Sequence, residues 1–139
     1  MIKSIFFFLG MSLFAVAAAQ TENELKKVVS SYARAGDKQD VAVLKSLLHD
    51  QHRLVWHDGT KAPFILDKTA YISKIETKEW GGDERKITIE AVENFDGVNA
   101  TVKVVFDGKK SQMRSIFSLI KVEGEWKIIE ELVNATFKG

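Results

Sequence analysis

The chain of 139 residues has 45% apolar and 28% charged side chains, which is the size and composition of one globular domain. Its 20 basic and 19 acidic residues leave a formal net charge of +1, so nothing indicates a nucleic-acid or polybasic membrane surface. The absence of cysteine excludes disulfides, thiolate metal sites, a cysteine nucleophile and a cysteine-anchored lipid. We therefore predict a single domain that is stabilised by packing alone.

The first 19 residues have the pattern of a secretory signal peptide. A basic start at Lys3 precedes an apolar run from Ile5 to Ala15, and small residues continue to Ala19. The apolar run is shorter than the roughly 20 residues that span a bilayer, which disfavours a transmembrane anchor. We expect cleavage after Ala19, export to the periplasm or the exterior of a bacterial cell, and a mature domain over residues 20–139.

Three helices are predicted in the N-terminal half of the mature chain. A capping box over Thr21–Glu24 begins the first helix, and apolar residues at helical spacing follow it as far as Tyr32. Asp40 is placed to cap a second helix that ends near residues 49–50, and Asp67 to cap a third that ends near Thr77. Between them, residues 53–56 are predicted as a short strand and residues 58–63 as a loop.

The segment Lys86–Val133 has the pattern of a four-strand antiparallel meander. Its turns are predicted at Asp96-Gly97, Asp107-Gly108 and Glu123-Gly124, since Asp-Gly and similar pairs accept the positive φ of tight hairpins. Apolar and polar residues alternate over residues 98–106, which indicates a sheet with one buried face.

This order of elements predicts an α+β domain in which three N-terminal helices pack on a curved antiparallel β-sheet. Such a domain is cone-shaped, a cystatin-like roll. The open end of a cone is a natural pocket for a small molecule, walled by apolar side chains with a few polar groups that orient the ligand.

Five segments of the mature chain match the pattern of a known family: residues 28–32, 40–44, 48–55, 68–72 and 117–129. In these segments the sequence resembles the nuclear transport factor 2-like (SnoaL-like) superfamily and, within it, the group labelled "putative lumazine-binding". The resemblance covers nearly all of the mature chain and is most specific in the final strand, turn and Trp-Lys-Ile-Ile block. The resemblance implies a homodimer, which we also expect because an apolar outer sheet face is usually covered by a second copy.

Ketosteroid isomerase, an enzyme of this superfamily, combines a carboxylate base with a tyrosine and a protonated acid. The tyrosine position is matched by Tyr32, but the base position falls on Trp56 and the acidic position on Ser118. Indole and serine cannot exchange the required proton at neutral pH, so isomerase chemistry of this kind is not implied. A non-catalytic binding domain is the favoured interpretation.

Five residues from four predicted elements are candidates for a ligand site in the cone: Tyr32, Trp56, His57, Tyr71 and Arg114. The expected ligand is a small apolar or aromatic molecule, with an anionic group if Arg114 points inward. Two alternatives remain open at single positions. Tyr32 is also consistent with a core aromatic, and Arg114 with an exposed strand residue paired across the sheet.

The spacing of His49, His52 and His57 matches no zinc signature, so neither a metal nor a cofactor is predicted. Two other functions compete with ligand binding. One is a small enzyme of isomerase, cyclase or hydrolase type that uses His57 and Asp58, and the other is an interaction module without a pocket. A cone filled with side chains would favour the module, whereas an empty cone with converging polar groups would favour binding or catalysis.

Overall fold

The computed structural model describes residues 2–139, with side chains from Leu13 onward. The helices are α1 (Ile2–Lys38), α2 (Val41–Leu47) and α3 (Lys68–Glu76). The strands are β1 (Leu48–Trp56), β2 (Phe64–Asp67), β3 (Lys86–Phe95), β4 (Asn99–Asp107), β5 (Ser111–Val122) and β6 (Glu125–Phe137). Three helices and a six-stranded sheet form the α+β cone that the sequence predicts.

Helix α1 does not begin at the capping box, so this prediction is wrong for the full-length chain. The helix passes through Thr21 without interruption, because the residues just before it, Ala17–Gln20, are good helix formers that continue its hydrogen-bond ladder. The predicted apolar stripe is buried, with Leu25, Val29 and Tyr32 each at most 3% exposed. Within the described part of the chain, none of the helices has the length and apolarity needed to cross a membrane.

The two later helices begin at the predicted caps. The carboxylate of Asp40 accepts from the amide of Val43 at 3.2 Å, and that of Asp67 from the amide of Ala70 at 2.8 Å. Helix α3 turns Tyr71, Ile72 and Ile75 towards the sheet. The second helix stops earlier than predicted, at Leu47, because strand β1 starts at the next residue.

The sheet has the order β2-β1-β6-β5-β4-β3 and is mixed rather than wholly antiparallel. Strand β1 pairs parallel with β6, from Arg53 opposite Glu130 to Trp56 opposite Val133. Turn residues in a sequence predict pairing only between strands that follow one another along the chain. The pairing of β1 with β6 joins residues 77 positions apart, so no turn predicts it. Strand β2, which follows the predicted loop and has no counterpart among the predicted strands, folds back antiparallel on the outer edge of β1.

Two of the three predicted hairpin turns are confirmed. Asp96-Gly97 and Glu123-Gly124 have positive φ at both residues, as tight two-residue turns require. The prediction at Asp107-Gly108 is wrong, because the connection there spans residues 108–110 and is held by another segment. The backbone amides of Lys109 and Lys110 each donate to the carboxylate of Asp83 at 3.2 Å.

Candidate ligand-binding cavity

A cavity of about 300 Å³ opens between the concave face of the sheet, the C-terminal part of α1, helix α3 and residues 79–85. The core fills the rest of the cone, so the cavity is confined to one end. Its surface consists of a buried polar floor, an aromatic wall and a charged rim, and each part comes from different elements.

The floor is formed by Glu131, whose side chain lies on the concave face of β6 and is only 2% exposed. The hydroxyl of Tyr32 donates to one carboxyl oxygen of Glu131 at 2.5 Å. The hydroxyl of Ser115 donates to the other oxygen at 2.7 Å. Glu131 is therefore a buried carboxyl with a neutral donor on each oxygen, and it faces empty space.

Burial raises the pKa of Glu131 above its ordinary value, although the hydrogen bonds from Tyr32 and Ser115 oppose this effect. Burial and the nearby Glu131 charge also raise the pKa of Tyr32 well above its ordinary value. Burial raises the pKa of Tyr71 in the same way. Tyr32 therefore remains a hydrogen-bond donor, while Glu131 is the group in the floor that can exchange a proton.

The wall is a continuous run of aromatic rings from the floor to the mouth. The ring centroids of Tyr32 and Tyr71 are 6.1 Å apart, and those of Tyr71 and Trp80 are 6.2 Å apart. Trp56 continues the run, with its centroid 6.3 Å from Trp80 and 5.3 Å from Phe137. A flat apolar molecule would lie against this wall with favourable ring contacts.

The rim is fixed by an ion pair between Asp37 of α1 and Arg85, which precedes β3. The Nε of Arg85 donates to Asp37 at 2.6 Å, and their side chains are only 12% and 6% exposed. Arg85 also donates to the carbonyl of Ala33 at 2.8 Å. The guanidinium also donates to the Sδ of Met113 in β5, so its role here is to hold the rim between α1 and the sheet.

Three of the five predicted site residues, Tyr32, Trp56 and Tyr71, line the cavity together. Arg114 does not line the cavity, and of the two orientations left open for it the exposed one is correct. Its neighbours Ser115 and Met113 point into the cone, so strand alternation turns Arg114 outward, where it is exposed.

His57 also lies outside the cavity, on the far side of Trp56. It lines a separate open groove of about 270 Å³ together with Asp58 and Lys61. The carboxylate of Asp58 accepts from the amide and hydroxyl of Thr60, at 2.9 and 2.7 Å, and these bonds lower its pKa. Asp58 therefore stabilises its own turn, and no hydrogen bond joins it to His57 among the described residues.

Sequence reasoning missed Glu131, Ser115, Trp80 and the Asp37–Arg85 pair. For Glu131 the reason is a β-bulge, since Ser118 pairs with Glu130 whereas the next residue, Leu119, pairs with Ile128. The extra residue in β6 shifts the inward–outward alternation of its side chains by one position. After Ile128, the next inward side chain is therefore Glu131, whereas regular alternation would have turned Glu130 inward. Two adjacent glutamates between the apolar pairs Ile128-Ile129 and Leu132-Val133 were the available signal.

Within residues 2–139, no group of three or more histidine and acidic side chains is arranged to hold a metal ion. Ser118, at the acidic position of the isomerases, lies on the outer face of β5, half-buried. Trp56, at the base position, belongs to the aromatic wall.

Solved structures with the same fold come from several bacteria. A nuclear transport factor 2-like protein of unknown function from Shewanella baltica is 19% identical, with a TM-score of 0.75, over 85% of this chain and 95% of the other. A cystatin-like fold protein from Burkholderia xenovorans is 18% identical, with a TM-score of 0.67, over 86% and 95%. A ketosteroid isomerase-like protein from Erwinia carotovora atroseptica is 13% identical, with a TM-score of 0.65, over 82% and 95%.

At these identities the similarity concerns the fold alone, and no curated protein matches the chain. A family profile does match, over residues 20–138, and its description is "Putative lumazine-binding". The matched range begins where the predicted leader ends and includes every residue of the cavity floor, wall and rim. The chain therefore belongs to the "Putative lumazine-binding" family, and its fold is that of the nuclear transport factor 2-like proteins.

Proposed function

We propose that this protein is an exported, non-catalytic domain that binds a small, partly aromatic molecule in the cavity. The observation that carries the proposal is an open, aromatic-walled cavity with one buried hydrogen-bonding carboxyl, Glu131, at its floor. Its volume of about 300 Å³ is at the small end of the range for ligand pockets. A flat molecule of one or two rings fits this description, and lumazine, named in the family description, is a fused two-ring heterocycle.

The two competing functions have less support. An interaction module without a pocket would have a cone filled by side chains, whereas this cone has an empty end with converging polar groups. An enzyme based on His57 and Asp58 would need the two side chains to act together on a bound substrate. Both lie in the open outer groove, and Asp58 is occupied by Thr60.

The outer face of the sheet supports a homodimer. One cross-strand row on this face is apolar over four adjacent strands, and successive members are paired in register. The row consists of Ile65, Val55, Leu132 and Ile116. Ile65, Leu132 and Ile116 are 44–50% exposed, and a second copy of the same face would cover them.

The test of the binding function is native mass spectrometry of the purified full chain, which detects small molecules that the protein retains. Ala135 lines the cavity, so an Ala135→Phe change should fill it, whereas Ala42→Phe adds the same ring on the exposed surface of α2. We expect a retained molecule in the wild type and in Ala42→Phe, and its loss in folded Ala135→Phe. Equal retention by both variants would place the ligand elsewhere and contradict the proposal.

A further inference from the structure

More acidic than basic side chains line the cavity. Four carboxylates and two basic side chains line it, namely Asp37, Glu79, Asp83 and Glu131 against Arg85 and Lys110. This imbalance disfavours a ligand with a negative charge. It also raises the question of which carboxylate is available to a ligand.

The three acids of the rim already have strong partners. Asp37 is paired with Arg85 at 2.6 Å, and Glu79 accepts from Lys74 at 2.7 Å. Asp83 accepts from the amides of residues 84, 109 and 110 at 2.9–3.2 Å. These groups hold the rim together and have little capacity left for a ligand.

Glu131 differs from these acids in both burial and partners. It is the most deeply buried of the four, and within residues 13–139 its hydrogen bonds come only from the neutral hydroxyls of Tyr32 and Ser115. Each carboxylate oxygen accepts one of these bonds and keeps a second acceptor position. Arg85, the nearby cation, donates to Asp37, to the carbonyl of Ala33 and to the Sδ of Met113.

The aromatic wall adds a second attraction for positive charge at the same place. The rings of Tyr32 and Tyr71 lie at the floor beside Glu131, and the electron-rich faces of such rings attract cations. The structure already contains interactions of this type, since Lys74 lies 5.8 Å from the centroid of Trp80. An ammonium group at the floor would therefore meet a carboxylate with aromatic rings beside it.

We propose that the ligand is an organic cation, a primary or secondary ammonium on a flat apolar body, whose ammonium donates to Glu131. The proposal rests on the binding function proposed above and specifies the chemical class of its ligand. The flat body would lie along Tyr71, Trp80 and Trp56, and the ammonium would supply the positive charge that the floor lacks. Arg114, on which an anionic ligand would have depended, lies on the other face of the sheet.

Three probes with one shared indole ring test the charge directly. Tryptamine is a cation near neutral pH, tryptophol is neutral and indole-3-acetate is an anion. Isothermal titration calorimetry on the full chain should give tryptamine an affinity about tenfold higher than that of tryptophol, since a hydrogen bond to a charged group is stronger. Indole-3-acetate should bind most weakly.

Two neighbouring glutamates of β6 provide a matched pair of variants. Glu131→Gln keeps the shape of the floor but removes its charge, and it should abolish the preference for tryptamine while tryptophol still binds. Glu130→Gln makes the same change on the outer face, where Glu130 contacts Arg53 at 3.4 Å, and should leave the preference intact. Circular dichroism of each variant confirms the fold before titration.

The outcomes separate this inference from the proposed function. Equal or tighter binding of tryptophol or indole-3-acetate by the wild type would overturn the cation proposal while supporting a binding cavity. A preference for tryptamine that survives in Glu131→Gln would also overturn it. Absence of binding by all three probes would count against the cation proposal, and the native mass spectrometry would still decide the binding function.

Discussion

The hydroxyl of Tyr32 and the carboxyl of Glu131 are 2.5 Å apart, although 99 positions separate them along the chain. This contact joins the first helix to the last strand directly beneath the cavity. Both groups are buried, so each depends on the other for the hydrogen bond that water would otherwise supply.

We expect Tyr32→Phe to lower the free energy of unfolding by about 1–3 kcal/mol, because it removes a donor from a buried carboxyl. Urea denaturation measures the change. In a double-mutant cycle with Glu131→Gln, the two changes should be non-additive by about 0.5 kcal/mol or more. Strict additivity would show that the two side chains do not stabilise each other.

The buried side chain of His52 should make the stability of the fold depend on pH. Its ring is fully buried, and neither nitrogen has a hydrogen-bond partner among the described residues. Burial and, to a lesser extent, the charge of Lys68 lower the pKa of His52 from 6.5 to about 4. Between these two pH values the unfolded chain binds a proton that the folded chain does not, so stability decreases as the pH falls through this range, by about 3 kcal/mol in total.

The His52→Leu variant should therefore lose less stability than the wild type between neutral pH and about pH 4, and thermal melts measure the difference. Glu131 acts in the opposite direction, because burial raises its pKa and stability then decreases as the pH rises. The comparison between variants isolates the histidine. His57→Gln, at an exposed position, should melt like the wild type, and the same behaviour in His52→Leu would refute the prediction.

Gly81 lies against the end of α1. Its φ is +86°, and a Cβ there would clash with the carbonyl oxygen of Gly36. Gly81→Ala should therefore cost more than the roughly 1–2 kcal/mol that positive φ alone imposes. Gly97→Ala is the matched control, with φ of +71° and nothing within 4 Å of the added carbon. Equal free energies of unfolding for both variants would contradict the close approach.

Assembly is tested at the apolar row on the outer face. Light scattering of the wild type should give twice the monomer mass, and Leu132→Lys should give the monomer mass, since a charge in a covered apolar face is costly. Lys103→Leu, at the end of the same row, should remain dimeric. A monomeric wild type at micromolar concentration would rule out this interface.

Export is tested by the N-terminus of protein recovered from its native host. We expect the mature chain to begin at Gln20, because Ala17 and Ala19 supply the small residues that signal peptidase requires. N-terminal sequencing that returned Met1 would contradict the prediction. A substitution of Ala19 by Lys should leave the leader attached, which mass spectrometry would detect.

The features that sequence predicted correctly are local. A helix cap such as Asp40 or Asp67 needs only an amide three residues away, and a tight turn such as Asp96-Gly97 needs only two residues with positive φ. Tyr32, Trp56 and Tyr71 were found because aromatic residues at the inward positions of several elements must meet in one core.

The features that sequence missed depend on register between distant strands. The parallel pairing of β1 with β6 leaves no turn signal, and the bulge near Ile129 decides which of two adjacent glutamates points inward. Arg114 illustrates the same limit, since its outward direction depends on which alternate residues of β5 face into the cone. The most distinctive group of the cavity was therefore the one that pattern reasoning could not place.

The parallel pairing of β1 with β6 also has a kinetic consequence. Strands β3 to β6 are consecutive hairpins that can form from short-range contacts, but β1 must wait for the final strand of the chain. Long-range parallel pairing carries a high entropic barrier and is slow. The cavity, which has β1 and β6 side by side in its surface, should thus be the last part of the domain to form, so that a nascent chain acquires its ligand site only after β6 has been synthesised.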